Sequence, residues 1–150
     1  MKYTSALLMA GIAMLAACKK EGKDSDGTPS IAGKSKQQVF MMQKWFLTNF
    51  RDSSLASDVD YIESCAQDDT YEFKSTSLYT QDRMGTVCSG GEPATENYPW
   101  SMASADAGSV TIFSKTYTIE SMSGDKIVLS REFPATGGYG KQTVIFSRKR

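Results

Sequence analysis

The residue types in this chain exclude most kinds of side-chain catalysis before any fold is considered. The 150 residues contain no histidine, which Ser-His-Asp and Cys-His catalysis, imidazole proton transfer and the common zinc sites all use. Carboxylates could pair for glycoside hydrolysis, but strand alternation places Glu72, Glu120 and Glu132 mostly on outward faces. The glycine-rich segments 88–93 and 137–140 lack the lysine and following helix of a phosphate loop. The sequence therefore predicts no catalytic site, no cofactor and no enzyme activity.

Acidic residues crowd the connection that follows the first predicted strand. They are Asp58, Asp60, Glu63, Asp68 and Asp69. Oxygen ligands so close in sequence could bind calcium, but their spacing is not that of an EF-hand loop, so we expect capping and turn roles and no metal site. The 17 basic and 17 acidic residues balance, so no basic footprint for nucleic acid is visible.

The first eighteen residues have the order of an export signal. Lys2 precedes an apolar run over residues 7–15, and two small residues, Ala16 and Ala17, precede Cys18. The segment Leu15-Ala16-Ala17-Cys18 resembles a bacterial lipobox. That resemblance implies removal of residues 1–17, a diacylglyceryl group on the Cys18 thiol and acylation of the new amino terminus. The alternative is an ordinary secretory signal with an unrelated cysteine at the cleavage point.

The segment after Cys18 predicts where the protein is held. Residues 18–38 comprise the lipidated cysteine and a charged, Gly- and Ser-rich stretch that reads as a flexible tether. Lys19 stands where an inner-membrane retention signal would place aspartate, so the lipoprotein pattern implies the outer membrane, on its periplasmic or its outer face. The apolar run is shorter than the roughly 20 residues of a spanning helix. Two or three acyl chains on Cys18 would anchor the protein stably, so the membrane is the first partner that the sequence predicts.

Two cysteines remain once Cys18 is assigned to lipid. Cys65 and Cys88 form an even pair in an exported protein, which favours a disulfide. Closing that loop of 24 residues stabilises the fold by roughly 3 kcal/mol in the chain-entropy description. The alternative, a pair of free thiols with a redox role, lacks a C-x-x-C spacing.

From residue 39 onward, short apolar or alternating runs are separated by turn residues, which is typical of an all-β domain. The candidate strands are Lys44 to Phe50, Thr70 to Lys74, Ser77 to Gln81, Thr86 to Cys88, Pro99 to Ser104, Ser109 to Phe113, Thr116 to Met122, Lys126 to Phe133 and Lys141 to Ser147. One weak run is expected to be a bend or to merge with a neighbour. A short helical turn is conceivable only within Ser57 to Cys65.

Tight turns between these runs predict sequential hairpins. The segments 123–125 and 137–140 have the turn chemistry of hairpin connections. A meander of eight strands removes its two edges by closing on itself. We therefore predict one domain over residues 39–150, a small eight-stranded antiparallel up-and-down barrel. Such a barrel is filled by side chains or holds one small ligand.

The folded part resembles the lipocalin-like domains of Bacteroidetes lipoproteins. The resemblance covers about residues 40–148 and rests on Lys44-Trp45, the run Cys-x-x-Asp-Asp-x-Tyr-x-Phe from Cys65 to Phe73, and the distant Cys88. Trp100, Tyr117-x-Ile119 and Ile127-Val128-Leu129 continue it. It implies that Trp45 packs across the barrel floor. The sequence departs from the lipocalin Gly-x-Trp motif, reading Gln43-Lys44-Trp45.

The resemblance implies a non-catalytic, membrane-anchored binding protein with a small apolar ligand at the barrel mouth. The candidate ligand contacts are Trp45, Tyr71, Phe73, Trp100 and Tyr117. The alternative is an interaction or inhibitor lipoprotein with a filled barrel, which binds a partner protein through the loops 51–69 and 89–98 with Tyr61, Tyr98 and the acidic residues as anchors. The volume of the internal cavity separates the two hypotheses.

Overall fold

A computed structural model describes residues 27–53, 62–75, 77–85, 88, 90–136 and 138–149. In chain order its elements are α1 (Lys36–Met41), β1 (Trp45–Asp52), a 3₁₀ turn (Ser64–Ala66), β2 (Thr70–Phe73), β3 (Leu78–Asp82), β4 (Thr95–Pro99), β5 (Ser109–Ile112), β6 (Lys115–Met122), β7 (Lys126–Ala135) and β8 (Gly138–Ser147). No helix in this part of the chain is long and apolar enough to cross a membrane. The signal segment and Cys18 lie outside the described residues.

The eight strands form one antiparallel sheet in the order β4-β3-β2-β1-β8-β7-β6-β5. Each strand pairs with the next in sequence except β4 with β5, and β1 also pairs with β8. Ser101, just after β4, pairs with Thr111 of β5 through two backbone hydrogen bonds of 3.0 and 2.8 Å. This pair brings the two edge strands together. The predicted eight-stranded up-and-down barrel is therefore confirmed.

The connections after β1, β3, β5 and β7 lie at one end of the barrel, which we call the mouth. The opposite end, the closed end, carries α1. The side chain of Phe40 in α1 is fully buried, with its ring 5.0 Å from that of Phe73 and 5.6 Å from that of Trp100. The indole Nε1 of Trp45 donates to the carbonyl oxygen of Phe40 over 2.9 Å. Burying one such side chain stabilises the fold by about 1.5–3 kcal/mol, so α1 belongs to the core.

Alternation along the strands selects the core as the sequence predicted. Tyr71 and Phe73 are buried on one face of β2, and Ile127 and Leu129 are buried on one face of β7. Phe133 on the same face of β7 is partly buried because it lies nearer the mouth. The hairpin at residues 123–125 joins β6 to β7, also as predicted.

Several strand predictions differ from the structure at their ends. Cys88 lies in a bend rather than in a strand, and residues 86–87 fall outside the described residues. The strand predicted over Pro99 to Ser104 lies earlier, over Thr95–Pro99, because its inward residues include Glu96 and an apolar pattern is missing. β8 begins at Gly138, so the turn before it is shorter than the predicted loop.

Two helical segments also differ from the sequence interpretation. No helix was predicted at α1, which has six residues and is too short to display a helical period; its only signal is the capping box between Ser35 and Gln38. Of the turn predicted within Ser57 to Cys65, the described part is the 3₁₀ turn at Ser64–Ala66.

The packed chain begins before residue 39, where the sequence ended the tether. Thr28 is buried, and the backbone nitrogen of Lys36 donates to Asp106 Oδ1 over 3.1 Å. The carbonyl oxygen of Pro29 lies so close to Gly124, in the β6–β7 hairpin, that a Cβ at Gly124 would be 1.7 Å away. Glycine is therefore required at position 124, because it lets the leading segment rest on the closed end.

We predict that Gly124→Ala lowers stability by about 1–3 kcal/mol, because the added methyl group displaces the backbone at Pro29. Urea unfolding followed by circular dichroism measures the change. Gly108→Ala is the matched control, since a Cβ there meets no atom within 4 Å. Equal stability of the two variants would contradict the packing of residues 28–29 on the hairpin.

Candidate functional site

The barrel interior has two unlike halves. Towards the closed end it is filled by aromatic rings, among them Phe73, whose ring lies 5.2 Å from Trp100 and 5.6 Å from Phe146. Trp45 lies here, at the floor, as the resemblance implied. Of the predicted ligand contacts, Trp45, Tyr71, Phe73 and Trp100 are at most 4 % exposed and pack in this core. They are not among the residues that line the cavity described next.

A cavity of about 280 Å³ lies in the mouth half and is called here the mouth cavity. Its lining residues are Leu47, Phe50, Ile62, Ala66, Phe113, Lys115 and Tyr117. They come from β1, from the β1–β2 connection and from the β5–β6 hairpin with the start of β6. Five of the seven are apolar aliphatic or aromatic side chains without a polar atom, and Tyr117 adds a ring. The predicted contact that lies here is Tyr117.

A row of polar side chains crosses four neighbouring strands beside this cavity. We call Asp52, Gln142, Arg131 and Tyr117 the polar row. Asp52 and Arg131 both pair with Gln142, from β1 and β7 respectively, and Tyr117 on β6 follows. Gln142 is buried, and its Oε1 accepts hydrogen bonds from the Tyr117 hydroxyl over 2.7 Å and from Arg131 Nε over 2.9 Å. One amide oxygen thus positions both the Tyr117 hydroxyl and the Arg131 guanidinium.

Tyr117 and Arg131, which both bind the Gln142 side chain, also contact each other. The guanidinium carbon of Arg131 lies 5.9 Å from the centre of the Tyr117 ring and 4.8 Å from that of Phe133, which is the geometry of cation–π contacts. Burial raises the pKa of the Tyr117 phenol, while the charge of Arg131 opposes that rise. The phenol is therefore neutral at physiological pH and acts as a hydrogen-bond donor.

A second polar group of side chains, the Arg83 cluster, occupies the opposite side of the mouth. Arg83 lies 3.5 Å from Glu92 and 3.4 Å from Glu96, and its Nη1 donates to the carbonyl oxygen of Pro93 over 2.7 Å. Tyr98, an anchor in the partner-protein hypothesis, donates its hydroxyl to Glu96 and stacks on Tyr79. Tyr98 is therefore a partly buried member of this cluster rather than a projecting side chain.

Asp69 adjoins the Arg83 cluster and is only 2 % exposed. Its Oδ2 accepts a hydrogen bond of 2.6 Å from Gln81, whereas its Oδ1 has no hydrogen-bond partner among the described residues. Burial raises the pKa of this carboxyl group, and the hydrogen bond from Gln81 and the charge of Arg83 only partly offset the rise. The sequence analysis expects a capping or turn role for Asp69, whereas the described hydrogen bond of its carboxylate is to a side chain, that of Gln81.

The disulfide between Cys65 and Cys88 is confirmed, with Cα atoms 5.2 Å apart. It ties the β1–β2 connection to the β3–β4 connection at the mouth, and Ala66 of the cavity wall directly follows Cys65. Glu63 lies close to both sulfur atoms. Sulfur atoms joined to each other are not thiolates, so this trio does not supply metal ligands.

Other residues from the sequence analysis take different places. Asp58, Asp60 and Tyr61 lie outside the described residues, and Asp68 borders Gly85, where a Cβ would be 2.8 Å from its Oδ2. Sequence reasoning missed most of the cavity wall, because Leu47, Phe113 and Ala66 carry no signal that separates them from core positions. Arg131, the centre of the polar row, had one available signal. It is a charged residue on the face of β7 that Ile127 and Leu129 define as inward.

Comparison with known proteins found no match among protein-family models, curated proteins or solved structures.

We predict that Asp69→Asn stabilises the protein at pH 7. The folded-state pKa of Asp69 is raised above its unfolded value, so ionisation costs the folded state more and its stability falls as pH rises through the two pKa values. The neutral amide avoids that loss and still accepts from Gln81. Thermal unfolding from pH 3 to 7 should show a gain in Tm at pH 7 that vanishes at pH 3.

Glu132→Gln is the control for the Asp69 variant, because it removes a negative charge from an exposed position. A Tm difference between Asp69→Asn and the wild type that is largest at pH 3 would contradict the assigned direction of the pKa shift.

We predict that Cys65→Ser lowers stability by about 3 kcal/mol and leaves Cys88 as a reactive thiol, because the loop between them is no longer closed. Melting curves and a thiol-specific reagent, both applied to a chain with Cys18→Ser, measure the two effects. Reduction of the unmutated pair should reproduce the loss of stability. Unchanged melting with no new thiol would contradict a disulfide in the exported protein.

Proposed function

We propose that this protein is a non-catalytic binding protein whose ligand is a small, largely apolar molecule held in the mouth cavity. The observation that carries the proposal is the cavity of about 280 Å³, with its mainly apolar lining, at the mouth of an otherwise filled barrel. Small-molecule sites are concave, mainly apolar and few per protein, so this apolar space at the mouth is a candidate binding site.

The size of the cavity limits the ligand. Ligand pockets commonly measure about 300–1,000 Å³, so the mouth cavity stands at the lower end of that range. At roughly 30 Å³ for each non-hydrogen atom, the share of a water molecule in the liquid, it accommodates about nine such atoms. In the aromatic core below, the ring of Phe146 contacts those of Tyr71 and Phe73, so side chains fill the barrel there.

Location is part of the proposal. We infer a lipoprotein of the bacterial outer membrane, acylated at Cys18. The described chain begins at the closed end, where Thr28 and Pro29 lie against Gly124. Gly27 follows Cys18 by nine residues, which span at most about 30 Å when fully extended. A lipid on Cys18 would therefore hold the closed end towards the membrane and leave the mouth facing away from it.

A direct test uses 1-octanol, which has nine non-hydrogen atoms, and the chain from residue 18 with Cys18→Ser, exported so that the disulfide forms. We expect saturable binding by calorimetry with one site. Ala66→Phe should weaken it at least ten-fold, because the added ring occupies the mouth cavity. The Tm should stay unchanged or rise, since filling a void does not remove core contacts.

Ala103→Phe is the matched control, because Ala103 is exposed in the β4–β5 connection at the closed end. Leu47→Phe tests the cavity from β1 independently. Octanol binding unaffected by both cavity substitutions would place the ligand elsewhere. No binding of octanol at all would turn attention to the alternative hypothesis, in which the mouth loops bind a partner protein.

A further inference from the structure

We propose that the ligand of the mouth cavity is an anionic amphiphile, a short apolar chain ending in a carboxylate that Arg131 and Lys115 bind. This inference rests on the proposed function and specifies its ligand class. The residue that suggests it is Arg131, whose positive charge no carboxylate of the described residues contacts.

Arg131 is held in one place by three contacts. Its Nε donates to Gln142 Oε1 over 2.9 Å, and its guanidinium lies over the rings of Phe133 and Tyr117. The hydrogen bond to Gln142 uses one of the five N–H donors of the guanidinium group, and the guanidinium also interacts with the Tyr117 hydroxyl. The remaining terminal N–H groups are held in a position set by packing. A preorganised guanidinium of this kind matches a carboxylate through two parallel hydrogen bonds.

Among the residues that the structure describes, the charge on Arg131 has no acidic partner. In the part of the chain that the structure describes, no carboxylate oxygen lies within 4.0 Å of a side-chain nitrogen of Arg131 or of Lys115. Arg83, across the mouth, has ion pairs with both Glu92 and Glu96. Partly buried charges in proteins are normally paired, so Arg131 presents to the mouth a positive charge that no carboxylate of the described residues contacts.

The acidic residue nearest to this group in the sheet is Asp52. It pairs with Gln142 from β1, on the side of Gln142 away from Arg131, and its charge contributes to the raised pKa of Tyr117. Asp52 has an interaction of its own. The mouth cavity, lined by Tyr117 and Lys115, is where the ligand anion would meet Arg131.

The positive charges border the apolar space. Tyr117 lines the mouth cavity and lies beneath Arg131, so the two features share a wall. Lys115, two residues earlier on β6, projects from the same face of the strand and also lines the cavity. A molecule with its chain among Leu47, Phe50 and Phe113 would place its polar end beside these two cations. That arrangement favours an anionic end over a neutral or cationic one.

The test compares three ligands with the same eight-carbon chain: octanoate, 1-octanol and octylammonium. Calorimetry on the exported chain with Cys18→Ser should show octanoate binding at least ten-fold more tightly than octanol, and octylammonium more weakly than octanol. Raising the ionic strength should weaken octanoate binding and leave octanol binding unchanged, since salt screens only the charged ligand.

Substitutions then assign the charge preference to residues. Arg131→Gln should bring the octanoate and octanol affinities close together while octanol binding persists. Lys115→Met should reduce the preference in part, and it tests the same idea at an exposed position. Lys126→Met, an exposed lysine at the closed end, is the matched control and should leave the preference intact.

The outcomes separate this inference from the function beneath it. Octanol binding as tight as octanoate would overturn the anionic ligand while the apolar site stands. A preference for octanoate that survives both Arg131→Gln and Lys115→Met would overturn the assignment of the carboxylate to these two residues. Absence of binding by all three ligands would overturn both the anionic ligand and the apolar site. A preference lost in the Arg131 and Lys115 variants and kept in Lys126→Met would establish the assignment.

Discussion

The burial of Phe40 against the aromatic side chains of the closed end is the interaction on which the rest of the barrel depends. An eight-stranded barrel has an interior just wide enough to be filled by side chains, so one end has to be closed by large residues. Phe40 enters from α1 and lies between Phe73 and Trp100, and its carbonyl oxygen accepts from the indole of Trp45. The bulky rings are thereby used near the floor, and the free volume is left towards the mouth.

The mouth half differs from the closed half in that it is not filled by aromatic rings. Its inward positions are polar or border the mouth cavity. Two arginines dominate it, and their surroundings differ. Arg83 forms ion pairs with both Glu92 and Glu96. Arg131 is held by an amide and two rings, none of which carries a negative charge. Among the described residues, the mouth thus has one arginine with acidic partners and one without, and the apolar cavity adjoins the second.

How well a strand was predicted from the sequence depended on whether its inward-facing residues are apolar. Strands such as β7 were predicted well because Ile127 and Leu129 alternate with outward residues. The strand β4 was misplaced because Glu96 faces inward, where its partner is Arg83 rather than an apolar neighbour. The helix α1 was missed because six residues cannot show a helical period. Large aromatic residues were predicted as ligand contacts on residue type alone, a criterion that selects the packed core equally well.

The sequence by itself determined the all-β class, the pairing of Cys65 with Cys88 and the absence of histidine chemistry. Each of these follows from residue type or from a period of two along a single strand, which are local properties. Only the tertiary structure decided which inward residues fill the floor and which surround a cavity. That outcome depends on the register between strands distant in sequence and on where α1 inserts Phe40. The tertiary structure also decided that Arg131, unlike Arg83, meets no carboxylate among the described residues. The sequence could not show this, because nothing in it distinguishes the two arginines.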